Sequence, residues 1–330
     1  MRPPRTASLF AALLAGCLPS GDDAPAGELV VSIETNLKVP VKLNGLDLPG
    51  DIDSVQVSVS SQGVSKLDQT YALGPSGVEV PATLGLTAPS DPSADATVRV
   101  QASKSGRVRV VRQVVTSVPQ DRVALLHLPI EWLCDGMTAC PAVCAAGACV
   151  PGTCVGGQCE SAAVDATSLE DYTPGAVFGG GNGGLDANGV CLDTVPCFSG
   201  GRRVDVDRTG CTIAKPSEPG HGVNVALVLP PSGDGICSLS TGPSGQTPPC
   251  LVPLDYGVEG GFRDVGGRIA LPKSVCQKLA DSNPPQPGKI LGVALTTTCS
   301  TKTPGVPTCG PWSSVQSNPG TFFGAGPSGM

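Results

Sequence analysis

Histidine is almost missing from this chain: 330 residues include 2. Chemistry that needs an imidazole base or a His-rich metal site has only His127 and His221 to use. Aromatic residues make up 3% and charged residues 15%, so stacking platforms and broad charged faces are scarce. The 21 basic residues are outnumbered by 28 acidic ones, giving a net charge of −7. A chain of that sign has no electrostatic footprint for nucleic acid. Long hydrophobic runs are missing too. The apolar stretch Ala7 to Ala15 falls far short of the ~20 residues of a membrane-spanning helix, and no later segment comes closer.

What is abundant is glycine (44), proline (33) and cysteine (15). The Gly and Pro content stops short of a low-complexity chain, and the lack of a Gly-X-Y period excludes collagen. A hydrophobic fraction of 40% is enough to form a core.

The chain begins Met1-Arg2-Pro3-Pro4-Arg5, continues through the apolar run, and reaches Leu14-Ala15-Gly16-Cys17. A basic start, a short apolar stretch and small residues before a cut are the parts of a secretory signal. Leu14 to Cys17 resembles the lipobox of bacterial lipoproteins. The resemblance implies that the Cys17 thiol takes a diacylglyceryl group, the chain is cut between Gly16 and Cys17, and the new amine is acylated. Each buried acyl CH₂ stabilises membrane association by roughly 0.8 kcal/mol, so the three chains usual in that family would anchor the protein permanently. Leu18 follows the cysteine where some lipoproteins carry an acid. In that family this points to the outer membrane, on its periplasmic or surface face. Without residues 1–16 the chain has 19 basic and 28 acidic side chains, a net −9.

With Cys17 assigned to lipid, fourteen cysteines remain, and an exported protein sits where disulfides form and persist. Six lie close together: Cys134, Cys140, Cys144, Cys149, Cys154 and Cys159. Eight are spread further on: Cys191, Cys197, Cys211, Cys237, Cys250, Cys276, Cys299 and Cys309. Both groups are even, so each can close on itself, and the spacing does not select a pairing. Zinc is the competing reading of the first group, but it contains no His, and exported thiols oxidise more readily than they collect metal. Its few apolar residues, Val143, Val150 and Val155 among them, could not form a core, so cross-links would have to order it. In cysteine density alone it resembles the small EGF-like and knottin-like modules of secreted proteins.

Residues 17–27 read as the lipidated cysteine and a flexible tether. From Glu28 the pattern becomes valine-rich with period two, as in Val55, Val57 and Val59. Seven strands are expected, at 28–35, 53–60, 66–73, 77–84, 96–102, 107–117 and 122–130. That count suits an antiparallel sandwich over 28–131, immunoglobulin-like or fibronectin-like in architecture. Cysteine is absent between Leu18 and Ile130, so packing alone must hold this part. The basic stretch Lys104, Arg107, Arg109 and Arg112 reads as a solvated strand face, and Trp132 as a plug at the end of the core.

A Cys-rich module over 132–160 follows, then a linker over 161–175, a second disulfide-stapled β domain over 176–316 and a flexible tail over 317–330. In the second domain, strands are expected at 203–206, 223–229, 250–254, 267–271 and 290–297. A short helix is expected over 271–279, with Pro272 in its first turn and Val275 and Leu279 on one face. The whole is mostly β. The phrases Val123 to Leu126, Trp132-Leu133-Cys134-Asp135-Gly136 and Cys309-Gly310-Pro311-Trp312-Ser313-Ser314-Val315 resemble ones that recur in uncharacterised Cys-rich envelope lipoproteins of bacteria. That resemblance implies an architecture and carries no activity.

No catalytic set is legible. His127 lies in an expected strand, and His221 lies on a loop in a domain that also holds Asp193, Asp205, Asp207 and Asp234. No Gly-x-Ser-x-Gly elbow occurs, and an even number of exported cysteines leaves no thiol as nucleophile. Gly179 to Gly184 and Gly324 to Gly329 match Gly-x-Gly-x-x-Gly, but neither follows a strand and opens a helix. Asp186-Ala187-Asn188-Gly189 with Asp193 resembles part of a calcium loop, yet the closing Glu is missing and a hairpin turn explains it. No cofactor or metal is assigned. Eight of the eleven aromatics lie beyond residue 170, too sparse to define a sugar platform.

The expected function is a lipid-anchored envelope protein acting as a non-enzymatic binding or adhesion module. Its partners would be the membrane, through its lipid, and a glycan or an envelope protein, with no role for nucleic acid. The alternatives are an envelope hydrolase or accessory enzyme using the second domain around His221, and a purely structural spacer. Replacing the lipidated thiol tests the anchor. Cys17→Ala is expected to move the protein out of the membrane fraction or leave it unprocessed, and unchanged fractionation and gel mobility would refute the assignment.

Overall fold

The computed structural model describes residues 27–43, 46–145, 148–178, 191–218, 220–231, 233–237, 248–258, 260–279 and 289–308. The signal, Cys17, most of the tether, both Gly-x-Gly-x-x-Gly matches, Asp186 to Gly189, Cys309, Trp312 and the tail lie outside them. The chain is mostly β, as its valine alternation predicts, and none of the sheets closes into a barrel. No helix among the described residues is long and apolar enough to cross a membrane.

The first part is a sandwich. Its strands are β1 (Glu28–Thr35), β4 (Ser54–Ser61), β5 (Val64–Ala72), β6 (Ala82–Thr87), β7 (Asp95–Lys104), β8 (Arg107–Ser117) and β9 (Val123–Ile130). A small hairpin, β2 (Val41–Leu43) with β3 (Leu46–Leu48), sits between β1 and β4. One sheet runs β5-β4-β7-β8; the other runs β6-β1-β9 and gains β14 (Glu170–Asp171) at its far edge. Alternation decides what faces the core: Val55, Val57 and Val59 of β4 and Val98, Val100 and Ala102 of β7 turn inward. They meet Leu29, Val31 and Ile33 of β1 and Ala124, Leu126 and Leu128 of β9. β1 and β9 read as nearly continuous apolar runs because their outer face is also covered. Val30 and Leu125 pack there under Val177 of the short helix α1 (Pro174–Phe178).

Three features differ from expectation. β1 pairs with β9 in parallel, Glu28 opposite Val123 through Thr35 opposite Ile130, so the sandwich is not wholly antiparallel. The likeness to an immunoglobulin domain is therefore one of architecture, and the strand pairing is different. The strand expected at 77–84 begins only at Ala82, because Pro81 has no N–H to give to a ladder. The basic stretch is not a solvated face. Arg107 is exposed, but Lys104 bonds to the Gly50 carbonyl, Arg112 Nη1 donates to the Cys154 carbonyl at 2.6 Å, and Arg109 is mostly buried.

The Cys-rich module consists of two hairpins, β10 (Val143–Ala145) with β11 (Ala148–Val150) and β12 (Gly152–Val155) with β13 (Gln158–Ser161). Its six thiols pair as Cys134–Cys154, Cys140–Cys159 and Cys144–Cys149, which leaves none for zinc. The module covers the open edge of β8. Gly136 N–H donates to the Arg109 carbonyl at 2.9 Å, Gln113 N–H to Thr153 Oγ1 at 2.8 Å, and Val115 N–H to the Ala162 carbonyl at 2.7 Å. The segment expected as a linker, 161–175, is likewise strapped down: Ala162 is fully buried, β14 pairs with β9, and Arg122 clamps Asp171 at 2.6 Å. Unpaired sheet edges recruit other strands, and here the chain covers two of them itself.

The last part carries β15 (Arg202–Val204), β16 (Val206–Asp207), β17 (Thr212–Ala214), β18 (Asn224–Leu229), β19 (Ile236–Cys237), β20 (Cys250–Pro253), β21 (Arg263–Val265), β22 (Arg268–Ala270) and β23 (Gly292–Thr296). One sheet is ordered β15-β23-β18-β20-β19, the other β16-β17-β22-β21. The strand expected at 203–206 is thus split between two sheets at Asp205. Short helices are α2 (Thr194–Cys197) and α3 (Lys273–Lys278); Pro272 caps α3 rather than lying in its first turn. Cys197–Cys299, Cys211–Cys276 and Cys237–Cys250 staple this part, and Cys191 is also disulfide-bonded.

β18 is buried on both faces. Ala226 and Val228 join Leu192, Phe198 and Cys299 on one side, while Val225, Leu227 and Leu229 belong to the core that continues through Trp132 and Leu133 into the sandwich. Trp132 is therefore more than an end plug; it lies where all three parts meet. A polar cluster surrounds it. Arg109 reaches Asp135 at 2.5 Å and Asp234 at 2.9 Å, and Trp132 Nε1 donates to Asp234 at 3.3 Å. Lys278 sits 5.2 Å over the indole. Asp51 accepts from Gly235 N–H at 3.0 Å and pairs with Lys38 at 3.4 Å, and Lys38 also donates to the Gly233 carbonyl at 2.9 Å. Removing one member of such a set strands the others. Arg109→Met is expected to lower the unfolding free energy by about 2–3 kcal/mol, below the figure for a fully buried pair because these groups keep some solvent. Urea titration at neutral pH checks this, and an unchanged midpoint would show that the cluster is dispensable.

Candidate functional site

His127 lies on β9 between two acids. Its Nδ1 is 2.6 Å from Glu34 Oε1 and its Nε2 is 2.8 Å from Glu170 Oε1. Burial of the ring favours its neutral form, but the hydrogen bonds and charges of Glu34 and then Glu170 outweigh this and raise its pKa to about 8. The imidazolium gives both N–H groups to carboxylates, so no ring nitrogen is left to take a proton. Ser32, fully buried, gives its hydroxyl to Glu34 at 2.6 Å. The cluster is a brace holding β14 onto β9.

His221 is exposed on its loop, where Gly220 at φ +57° brings the chain against Thr297, and its backbone N–H donates to the Thr297 carbonyl at 3.1 Å. Among the described residues its ring makes no hydrogen bond or ion pair. Two of the acids named with it are engaged elsewhere: Asp234 with Arg109, and Asp207 with the N–H groups of Thr209 and Gly210. No group of His, Cys, Asp and Glu suited to a metal ion occurs among the described residues.

A polar groove does form, at the end of β23. It has a volume of ≈ 270 Å³ and is lined by Arg202, Ser217, Glu218, Thr296, Thr297 and Thr298 together with Gly200, Pro216 and Leu295. β15 brings Arg202 opposite Leu295, which puts the guanidinium beside the threonine run. The floor is fixed. Thr296 Oγ1 donates to the Cys197 carbonyl at 2.9 Å and so accepts from Thr298, 2.8 Å away, while Cys197–Cys299 ties α2 to the segment that follows β23. The Arg202 guanidinium, the Ser217 and Thr297 hydroxyls and the Glu218 carboxylate have no hydrogen-bond or ion-pair partner among the described residues. Donors and acceptors thus line one open groove. The volume lies just under the lower end of small-molecule pockets.

A second cavity sits at the joint between the sandwich and the last part. It measures ≈ 30 Å³, room for about one water. Glu131 lines it, accepting from Gly156 N–H at 2.7 Å, and burial pushes its carboxyl above the usual range. Beside it Lys302 pairs with Asp255 at 2.5 Å. This polar joint is too small for a ligand.

Neither Arg202 nor the run Thr296-Thr297-Thr298 stands out in the sequence; a polar triplet beside a cysteine was the only signal, and it became a site only when β15 was laid next to β23. In comparisons with known proteins no family model matches the chain, and neither does any curated protein or solved structure. The groove is therefore read from its own chemistry.

The His127 brace has a testable pH signature. Its stabilisation is complete below the unfolded pKa of about 6.5 and is lost as pH rises through about 8. That shift corresponds to about 2 kcal/mol. Unfolding free energy is expected to fall by about that amount between about pH 6 and pH 9, with His127→Gln lacking this component. Parallel pH slopes in the two proteins would refute it.

Proposed function

We propose that this is a lipid-anchored envelope protein, held in the outer membrane through Cys17, that serves as a non-enzymatic binding module. Its ligand-contacting surface is the threonine-lined groove of the C-terminal part, and its ligand is a hydroxyl-rich glycan of the envelope or its surroundings. The observation that carries the reading is a groove lined by hydrogen-bonding groups without a partner among the described residues: Arg202, Ser217, Glu218 and Thr297. Donors and acceptors of both kinds suit a ligand that also offers both. The welded joint around Trp132 suits a module that presents a fixed surface. The enzymatic alternative has less support, since neither histidine is placed as a base with a nucleophile in reach. The spacer alternative predicts no ligand at all.

The full chain carrying Cys17→Ser, which keeps every folded residue while removing the lipid, is the material for the test. It is expected to bind a subset of polysaccharides on a glycan array. Arg202→Ala combined with Thr297→Val is expected to weaken that binding at least about tenfold, the equivalent of one charge-assisted hydrogen bond. No binding by the parent chain, or undiminished binding by the double variant, would overturn the proposal.

A further inference from the structure

Four strand edges bound the sandwich. The β8 edge is covered by Gly136, Met137 and the 162–164 segment, and the β9 edge by β14. β5 is an edge strand with a register shift against β4 and charged Lys66 and Asp68 along it, both recognised defences against strand addition. Among the described residues β6 has none of these. It carries no charge and no internal proline, and its ladder with β1 is regular from Glu28 opposite Thr87 to Ile33 opposite Ala82.

The sequence of this edge reads the same in both directions: Pro81-Ala82-Thr83-Leu84-Gly85-Leu86-Thr87-Ala88-Pro89. Two copies of a strand related by a twofold axis pair antiparallel, and a palindrome then places like beside like. With the axis at Gly85, Thr83 faces Thr87 of the second copy and Leu84 faces Leu86. Backbone parity agrees. Ala88 N–H donates to the Gly27 carbonyl at 2.9 Å, so alternate residues Ala88, Leu86, Leu84 and Ala82 bond inward to β1. Thr83, Gly85 and Thr87 therefore turn their N–H and C=O groups to the open edge, in the positions where a strand centred on Gly85 would pair with them. Their side-chain face is exposed, while Leu84 and Leu86 are half-buried against the core and would be covered further by a partner. Pro81 and Pro89 close the segment at both ends, limiting the ladder to the residues between them.

We infer that the β6 edge is a homodimer interface, in which a second copy of this chain adds its own β6 antiparallel about Gly85 and joins the two β14-β9-β1-β6 sheets into one. One group works against it. Glu28 lies over Gly85 of its own chain, so the two Glu28 side chains flank the axis on one face.

Sedimentation equilibrium on the full chain carrying Cys17→Ser tests this. The parent is expected to dimerise at micromolar concentration. Thr83→Lys with Thr87→Lys sets like charges opposite each other and is expected to raise the dimer Kd at least about tenfold. Thr83→Lys with Thr87→Glu sets opposite charges face to face in this register and is expected to restore the dimer. Glu28→Gln is expected to tighten it. A parent that stays monomeric at about 100 µM, or two charge variants that associate equally, would overturn the inference. Circular dichroism of each variant separates misfolding from lost association, since both altered side chains point to solvent.

Discussion

The fold depends on one arginine held between two aspartates. Arg109 belongs to the sandwich, Asp135 to the Cys-rich module and Asp234 to the last part, so a single guanidinium ties three stretches of chain. Burial alone would disfavour its charge, but the hydrogen bonds of Asp135 and Asp234 more than compensate and hold it firmly protonated. The buried indole of Trp132 donates to Asp234 and forms one wall of the cluster, whose charged groups keep some solvent. Asp51, whose carboxyl burial pushes up while Lys38 pulls it back, extends the same grip to the 233–235 loop. Apolar burial around Trp132 supplies the bulk of the attraction and is non-directional. The ionic cluster adds direction, fixing how the last part sits on the sandwich.

The Cys-rich module follows from a different constraint. A four-stranded sheet has two edges whose backbone groups must pair or be covered. The module is too poor in apolar residues to fold by burial, and its three disulfides restrict the unfolded chain enough to hold two small hairpins in place. Its backbone then serves as the cover for β8. The segment after it does the same for β9, with Arg122 and the His127 brace as fastenings. Among the described residues β5 and β6 are the sandwich edges left without a covering strand, and of the two only β6 lacks charges and a register shift. The groove at the end of β23 and this edge lie in different parts of the chain, so a dimer formed at β6 would carry two copies of the groove.

Much of the fold was legible. Valine alternation marked the strands at 53–60 and 96–102, because side-chain direction along a strand is local, and apolar or β-branched runs marked those at 28–35, 107–117 and 122–130. The 223–229 run was equally plain because both its faces are buried. Misplaced features were those where a local rule met a distant partner. Lys104, Arg109 and Arg112 looked like a solvated row, and no window around them contains Asp234, 125 residues from Arg109. The 161–175 segment had a linker's composition, yet its backbone found sheet edges to bond. The groove was hidden for the same reason, since Arg202 and Thr297 become neighbours only through the β15–β23 pairing.

The sequence by itself determined the β character, the stretch that has no cysteine to staple it, and the six-cysteine group that closes on itself. These follow from period, composition and parity, which are properties of short windows and counts. Only the tertiary structure decided that β1 runs parallel to β9, which cysteine meets which, that Trp132 joins three parts rather than closing one, and where unpaired polar groups gather. Each of those is a pairing between residues far apart in the chain, and long-range pairing is selected by the whole core at once rather than by any stretch of it. The palindrome about Gly85 spans both levels: its symmetry is written in the sequence, and its meaning depends on β6 lying at an open edge.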